Sequence, residues 1–182
     1  MTTTTRKGRR KPGGPIRPLT MPFTIIQDTR EVQGGMMWQF TGIVGNSNEK
    51  YRPLIVPTEI ATLQTGDYSL KGFENRITIE RKSASDIFGC FYSDRFESEL
   101  TRMMDFEVKA VVIESDWSSM LTNPPNHSRA SANSVFGAAV SSLACRRIPW
   151  IACPGRRFAE LYTFQLLRKF WEDQQSQLEK EI

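Results

Sequence analysis

The fold is decided by residues 60–70, which read IATLQTGDYSL, and by residues 76–82, which read RITIERK. Both stretches are rich in β-branched and aromatic residues, a composition that predicts two strands. Only the short polar segment 71–75 separates them, so we expect the strands to be antiparallel neighbours joined by a turn. The second strand ends in the charged residues Glu80, Arg81 and Lys82.

Strands and helices alternate along the rest of the chain. An apolar run at 23–27 predicts a core strand that ends at Asp28, and the run 109–114 predicts a strand buried on both faces. A short strand is predicted at 150–153. Helices are predicted to begin at Ser83 and to span about 94–106, 132–146 and 157–175. This order predicts an α/β fold in which a mixed β-sheet is flanked by helices on both faces.

Local signals place two helix starts and one long loop. Ser83 can cap a helix with Asp86 in the capping-box position, and Asp94 is predicted to cap the next helix. Residues 32–57 are rich in Gly, Asn and Pro and have no helical period, which predicts a long loop with room for a short hairpin at 37–43. Loops of this length in compact domains tend to be functional.

The basic excess of the chain lies in one tail. The chain has 24 Lys and Arg against 20 Asp and Glu, a net charge of +4. Residues 1–22 hold six of the basic residues and no acid, whereas residues 23–182 hold 18 basic and 20 acidic residues. The tail is rich in Thr, Pro and Gly and cannot bury much apolar surface. We therefore predict a disordered basic arm at 1–22, able to bind nucleic acid electrostatically, and one folded domain at 23–182.

Cysteine, histidine and apolar content disfavour several protein classes. The three cysteines lack metal-type spacing and there is one histidine, which disfavours a structural zinc site and a Cys/His hydrolase and favours a reducing compartment. No apolar run reaches the length of a membrane helix, and the N-terminus lacks the apolar segment of a secretory signal. We expect a cytoplasmic protein, in a bacterial host cell or associated with the nucleoid, with no membrane partner.

Charged residues at predicted strand ends converge on one edge of the sheet. Alternate residues of a strand share a face, so Glu80 and Lys82 lie side by side, while Arg81 faces the apolar side and is expected to pair with a carboxylate. Asp67 on the neighbouring strand and Asp28 at the end of the first strand can reach the same edge. Three carboxylates repel one another unless a cation lies between them, and oxygen ligands select Mg²⁺ or Mn²⁺.

These residue types predict hydrolysis of a phosphodiester. A carboxylate-held Mg²⁺ polarises the phosphate, activates a water and stabilises the leaving oxygen. Lys82 would neutralise charge on the phosphoryl oxygens or orient the water. Structural explanations also exist: Asp67 as a turn residue, Glu80 and Lys82 as a cross-strand ion pair, and Asp86 as a helix cap.

The order of these motifs resembles the XPF/Hef-type nuclease family. Gly66-Asp67-Tyr68, Glu80-Arg81-Lys82 and Asp86 match the family signature GDY…ERKxxxD, and Asp28-Thr29-Arg30-Glu31 is similar to its opening D-x-R-E. Arg95 resembles the basic residue that opens the next helix of the family. The resemblance covers about residues 24–116 and implies a restriction-endonuclease-like fold with metal-dependent cleavage of DNA.

The resemblance also implies residue roles. It makes Asp67 and Glu80 metal ligands, with Asp28 as the third candidate, and Lys82 the catalytic base or electrophile. It makes Asp28, Arg81 and Asp86 essential supports. The candidate DNA contacts are the following arginines: Arg30, Arg95, Arg156 and Arg157. Solvated surface positions are the alternative for the last two.

Two features set the chain apart from the larger family members. A Gly- and Trp-containing loop at 33–48 stands where those members have a helix after D-x-R-E, and nothing after Arg146 has the Gly-bearing hairpins of a helix-hairpin-helix module. The layout is similar to the short versions in phage and prophage genomes. The last helix is apolar nearly all round, which predicts that one face packs on the sheet and the other on a second subunit.

The leading hypothesis is a Mg²⁺-dependent, structure-selective DNA endonuclease in DNA repair, recombination or phage DNA metabolism. Its expected partner is branched DNA or a junction of single-stranded and duplex DNA. Two alternatives stay open. One is a DNA-binding or scaffold module with a nuclease fold, and the other is an accessory nuclease that is active only with a partner protein.

Overall fold

The computed structural model describes residues 16–126, 128 and 130–181, with the side chains described up to Lys180. The strands are β1 (Leu19–Thr20), β2 (Ile25–Asp28), β3 (Leu54–Ile55), β4 (Thr58–Ala61), β5 (Tyr68–Leu70), β6 (Ile77–Lys82), β7 (Val108–Ile113) and β8 (Trp150–Ala152). The helices are α1 (Thr29–Gln33), α2 (Ala84–Cys90), α3 (Asp94–Met103), α4 (Trp117–Thr122), α5 (Ala132–Ser141) and α6 (Arg156–Glu181). A π-helical turn (Ser142–Arg146) continues α5.

A six-stranded mixed sheet organises the chain, in the order β4-β2-β5-β6-β7-β8. The predicted hairpin is confirmed: β5 and β6 are antiparallel, with Tyr68 opposite Ile79. β7 runs parallel to β6, which sets Glu80 opposite Val111 and Lys82 opposite Ile113. The parallel pairs at the other positions are β2 with β4 and β7 with β8.

Helices cover both faces of the sheet, as predicted. Along β7, Ala110 and Val112 point to the core that α6 covers, whereas Val111 and Ile113 point to the core under α2, α3 and α5. Successive residues of a strand face opposite sides, so a strand that is apolar throughout must be buried on both. This explains why the continuous run at 109–114 forms an inner strand.

The predicted single strand at 60–70 is wrong. β4 ends at Ala61 and lies beside β2, and the chain then crosses through residues 62–67 to reach β5 on the other side of β2. Gly66 allows this crossing because its φ of +78° belongs to the left-handed region, which interrupts an extended strand. Apolar alternation alone did not reveal the break.

Gly66 also sits where no side chain fits. A Cβ on this residue would lie 2.1 Å from Thr78 Oγ1, which itself donates a hydrogen bond of 2.9 Å to Thr65 O. We expect Gly66→Ala to lower the free energy of unfolding by roughly 2–6 kcal/mol, from backbone strain and overpacking of about 1–3 kcal/mol each. Urea denaturation of the purified variants measures this loss.

Gly72→Ala is the matched control for that substitution. Gly72 has a similar φ of +84°, but nothing lies within 4 Å of its added Cβ. In this variant the free energy of unfolding should fall only by the backbone strain, roughly 1–3 kcal/mol. Equal losses in the two variants would contradict the packing argument for Gly66.

Several element ends differ from the sequence-based prediction. A short helix, α1, follows Asp28 and takes in the first two residues of the predicted loop at 32–57. The predicted hairpin at 37–43 does not form, and Trp38, Phe40 and Ile43 of this segment are buried in the core. Ser93 caps α3 in place of Asp94. The short Ser side chain at the position before the helix reaches the backbone N–H of Phe96, which leaves Asp94 in the first turn.

The N-terminal boundary of the folded part lies before the predicted one at Pro22. Leu19 and Thr20 pair with Leu54 and Ile55 in a two-stranded parallel ladder, and Met21 is buried. Residues 1–15 of the predicted arm lie outside the described residues, as does His127.

α6 packs one face on the sheet and leaves apolar side chains on the other. Phe164, Leu167 and Phe170 are buried against the sheet, whereas Phe158 and Tyr162 are exposed. The first half of the interpretation of this helix is therefore confirmed, and the homodimer stays a prediction. Of the helices in the described part of the chain, none is long and apolar enough to cross a membrane.

Candidate active site

A polar cleft of about 220 Å³ opens where β5 and β6 meet α2 and α3. It is lined by Arg30, Glu31, Asp67, Glu80, Arg81, Lys82, Asp86, Arg95 and Glu99. The GDY and ERK motifs meet here because the β5–β6 hairpin brings the start of one strand beside the end of the other. The structure thus brings together most of the predicted site residues, while Asp28, Arg156 and Arg157 lie outside the cleft lining.

Asp67 and Glu80 are two buried carboxylates in this cleft. Asp67 Oδ2 accepts a hydrogen bond of 2.8 Å from the backbone N–H of Arg81, which orients it next to the ERK motif. Burial, followed by repulsion from Glu31, raises the pKa of Asp67 to about 7. Burial, followed by repulsion from Asp67, raises the pKa of Glu80 to about 8. Both shifts mean that the ionised pair lacks sufficient positive charge around it.

Lys82 supplies positive charge beside this pair. Its Nζ hydrogen-bonds to Glu80 Oε1, lies 3.5 Å from Glu99 Oε2 and stands 5.3 Å from the ring centre of Phe96. Burial acts to lower the pKa of Lys82, but the charges of Glu80 and Glu99 outweigh it and raise the pKa above its usual value. The ammonium is therefore charged at neutral pH.

Asp28 lies next to the cleft but is engaged inside the fold. It caps α1: Oδ1 accepts from the backbone N–H and the Nε of Arg30, at 2.8 and 2.6 Å, and Oδ2 accepts from the N–H of Leu63 at 2.7 Å. Burial acts to raise the pKa of Asp28, but these hydrogen bonds outweigh it and lower the pKa. This placement supports the role of a structural support and argues against the predicted role of a metal ligand.

Arg81 is held by a carboxylate, as expected for a charge on the apolar side of its strand. Its Nε and Nη2 donate to the two oxygens of Glu114, at 2.9 and 2.8 Å, and its Nη1 lies 3.6 Å from Glu31 Oε2. Glu114 Oε1 also accepts from Trp38 Nε1 at 2.8 Å and from Arg156 Nη1 at 3.1 Å. Glu114 is therefore the centre of a buried network behind the cleft.

The arginines predicted to contact DNA divide into two groups. Arg30 and Arg95 lie at the rim of the cleft, and the Arg95 side chain is 78% exposed. Arg156, in contrast, donates to the backbone oxygens of residues 36 and 37 as well as to Glu114, and Arg157 pairs with Glu160 at 2.9 Å. Arg156 therefore joins α6 to the loop, which argues against its prediction as a DNA contact. The pair of Arg157 with Glu160 lies within α6, and the DNA contact of Arg157 stays a prediction.

Asp86 combines its two predicted roles. It completes the capping box of α2, since its Oδ2 accepts from the N–H of Ser83 at 3.1 Å while Ser83 Oγ accepts from the N–H of Asp86 at 3.1 Å. Burial acts to raise the pKa of Asp86, but the hydrogen bonds from Ser83 outweigh it and lower the pKa. The carboxylate also lines the cleft and stays ionised there.

Two residues of the cleft had no site role predicted from the sequence. Glu99 was missed, although its spacing of four residues from Arg95 on a helix is a visible signal for a pair. Glu31 is the last residue of the D-x-R-E motif, and no role was predicted for it. Its Oε2 atom is buried and has no hydrogen-bond partner in the described structure. Burial, the largest cause, raises the pKa of Glu31 above its usual value.

The donor set suits a hard divalent cation. Within residues 16–126, 128 and 130–181, no three acidic, His or Cys side chains form a preassembled cation site. However, Asp67 and Glu80 share one cleft with raised pKa values, and Glu31 adds a buried oxygen without a hydrogen bond. Carboxylate oxygens without His or Cys fit Mg²⁺ or Mn²⁺.

Comparisons with known proteins identify the family and the fold of the chain. The model of the family described as ERCC4 domain matches residues 27–163. The structure is similar to XPF from Aeropyrum pernix in complex with DNA, with a TM-score of 0.58 and 19% identity, over 83% of this chain and 66% of that chain. A second structure of XPF from Aeropyrum pernix matches with a TM-score of 0.58 and 18% identity, over 80% of this chain and 60% of that chain.

The chain thus spans less than two thirds of the length of each of these XPF chains. A search of curated proteins gave no significant match. At this level of identity the structural likeness shows the fold, and it confirms the predicted restriction-endonuclease-like architecture. The family match includes the D-x-R-E, GDY and ERK motifs, so the chain belongs to the ERCC4 domain family, the XPF-type nuclease family that its motifs resemble.

Proposed function

We propose that this protein is a divalent-cation-dependent endonuclease that hydrolyses phosphodiester bonds in DNA. The observation that carries the proposal is the cleft in which two buried carboxylates, Asp67 and Glu80, lie beside the half-buried ammonium of Lys82. A core needs no such cluster, because isolated carboxylates are costly to bury. Membership of the ERCC4 domain family supports nuclease chemistry, and the DNA complex of XPF from Aeropyrum pernix supports DNA as the substrate.

The residues of the cleft divide the chemistry among them. Asp67 and Glu80 would hold the cation, with Glu31 as a further oxygen donor on the same side. When bound, Mg²⁺ or Mn²⁺ supplies Lewis-acid polarisation of the phosphate and lowers the pKa of a bound water. Lys82 presents a fixed positive charge to the phosphoryl oxygens as negative charge builds on them.

The remaining groups position the reactants. The backbone N–H of Arg81 fixes the carboxylate of Asp67, and the pairing of Arg81 with Glu114 fixes that stretch of β6. Arg30 and Arg95 at the rim of the cleft would contact phosphates of the DNA backbone. Water would attack the phosphorus in line with the leaving 3′ oxygen, which takes up a proton as the bond breaks.

We extend the proposal to branched DNA and to junctions of single-stranded and duplex DNA, in repair, recombination or phage DNA metabolism. This extension rests on the resemblance of the motif set to structure-selective nucleases. A protein with such a substrate would act in the cytoplasm of a bacterial cell, where DNA is accessible.

Incubation of the purified protein with Mg²⁺ or Mn²⁺ and a panel of single-stranded, duplex, flap, fork and bubble DNAs tests the proposal. We expect metal-dependent cleavage that EDTA stops and that Asp67→Asn lacks, with flap or fork DNA cut fastest. Binding of these DNAs without cleavage in either metal would refute the endonuclease and favour a binding or scaffold module. Cleavage that begins only when cell extract is added would favour the accessory nuclease.

A further inference from the structure

We propose that Glu99 is a positioning residue that holds Lys82 in its working orientation in the cleft. Glu99 belongs to α3 and is only 7% exposed, on the helix face that carries the buried residues Phe96, Leu100 and Met103. A carboxylate on an apolar helix face is costly unless it is paired. Its partners are two of the four cations of the cleft, Lys82 and Arg95, which indicates a role in the site. This inference rests on the proposed nuclease function.

The two oxygens of Glu99 face different cations. Oε2 lies 3.5 Å from Lys82 Nζ, and Oε1 lies 3.7 Å from Arg95 Nε. Glu99 thus pairs both with the half-buried ammonium of Lys82 on β6 and with the exposed guanidinium of Arg95 at the rim. Both are cations that the proposed function directs at DNA phosphates.

Lys82 depends on Glu99 because its other carboxylate partner has a second task. Glu80 contacts Lys82 from the same strand, but it is also a proposed cation ligand. Glu99 approaches Lys82 from helix α3, and its second oxygen lies near the positive charge of Arg95. It remains available to the ammonium when Glu80 is engaged by a cation, and it keeps the ammonium from following the negative charge of the substrate away from its working position.

Glu97 provides a matched control on the same helix. Its side chain is 60% exposed and forms an ion pair with Arg146, outside the cleft lining. Glu97→Ala therefore removes a carboxylate and an arginine contact from α3 without touching Lys82. Glu99→Gln keeps the shape of the side chain and one oxygen acceptor, whereas Glu99→Ala removes both.

Steady-state cleavage of the DNA that the unmodified protein cuts best tests the proposal. We expect kcat to fall about 10–100-fold in Glu99→Ala, the range found for groups that orient a site residue, with a much smaller change in KM. Glu99→Gln should recover part of the loss, and Glu97→Ala should match the unmodified protein. A Glu99→Ala variant that is as active as Glu97→Ala, or that changes KM alone, overturns the proposal.

A second measurement needs neither metal nor DNA. In the ¹⁵N-labelled protein, the side-chain ammonium signal of Lys82 is identified by its loss in Lys82→Arg. Glu99→Gln should shift this signal and speed its exchange with water, whereas Glu97→Gln should leave it in place. An unmoved signal in Glu99→Gln overturns the proposal. A protein that cleaves no DNA overturns the proposed function instead, and the NMR result still decides whether Glu99 holds Lys82.

Discussion

Lys82→Ala is expected to abolish DNA cleavage while the protein stays folded. Lys82 is the one cation that forms an ion pair with Glu80 among the described residues, so no neighbour replaces its charge at the phosphate. Loss of a single preorganised charge donor to a developing oxyanion lowers kcat by about a hundredfold to a thousandfold. Cleavage under single-turnover conditions, with far-ultraviolet circular dichroism to check folding, measures the effect.

The fold should survive this change because Lys82 lies at the end of β6 and its cleft is open to water. Burial raises the pKa of Glu80 to about 8, so Glu80 can take up a proton when the ammonium is removed, which limits the repulsion in the cleft. Lys71→Ala is the control, since Lys71 is an exposed lysine that pairs with Glu59 on the surface. Lys71→Ala should cleave normally, and undiminished activity in Lys82→Ala would refute the assignment of the site.

Glu114→Ala is expected to lower the free energy of unfolding by roughly 3–5 kcal/mol, the range for removal of one partner from a buried ion pair. Arg81, only 5% exposed, would lose both of its close hydrogen bonds and keep Glu31 at 3.6 Å. The indole N–H of Trp38 would lose its acceptor as well. Urea denaturation at neutral pH measures the loss.

Two further variants separate this buried pair from an ordinary ion pair. Glu114→Gln keeps an acceptor for Trp38, so its free energy of unfolding should fall less than that of the alanine variant. Glu107→Ala breaks the partly exposed pair with Arg76 and should cost about 0–1 kcal/mol. A loss for Glu114→Ala no larger than that for Glu107→Ala would show that the network does not carry the stability assigned to it.

The parts of the site that were predictable from the sequence are those fixed by local geometry. The alternation along β6 separates Glu80 and Lys82 from Arg81, and the short turn after β5 brings Asp67 beside them. The capping box of Ser83 is equally local, because its two hydrogen bonds join residues three positions apart. Each of these features follows from a period or a spacing within a single element or hairpin.

The parts that were not predictable depend on contacts between distant segments. Glu99 reaches Lys82 only because α3 packs on β6, and the acceptor of the Phe40 N–H is Glu160, on a helix more than a hundred residues further along the chain. The role of Asp28 also depends on a contact with a distant segment. An acid at a strand end can cap a helix or face a site, and only the backbone N–H of Leu63 shows which.

The packing of α6 shows how far the folded core extends along the chain. The family match ends at residue 163, yet Phe164, Leu167 and Phe170 of the same helix fill the core against the sheet. Met21 and Phe23, which lie before the match begins at residue 27, fill the same core. The segment that matches the family model is therefore smaller than the part of the chain that fills this core. Turns of α6 and an N-terminal segment from outside the match complete the interior, so a protein cut at the borders of the match would lose core side chains at both ends.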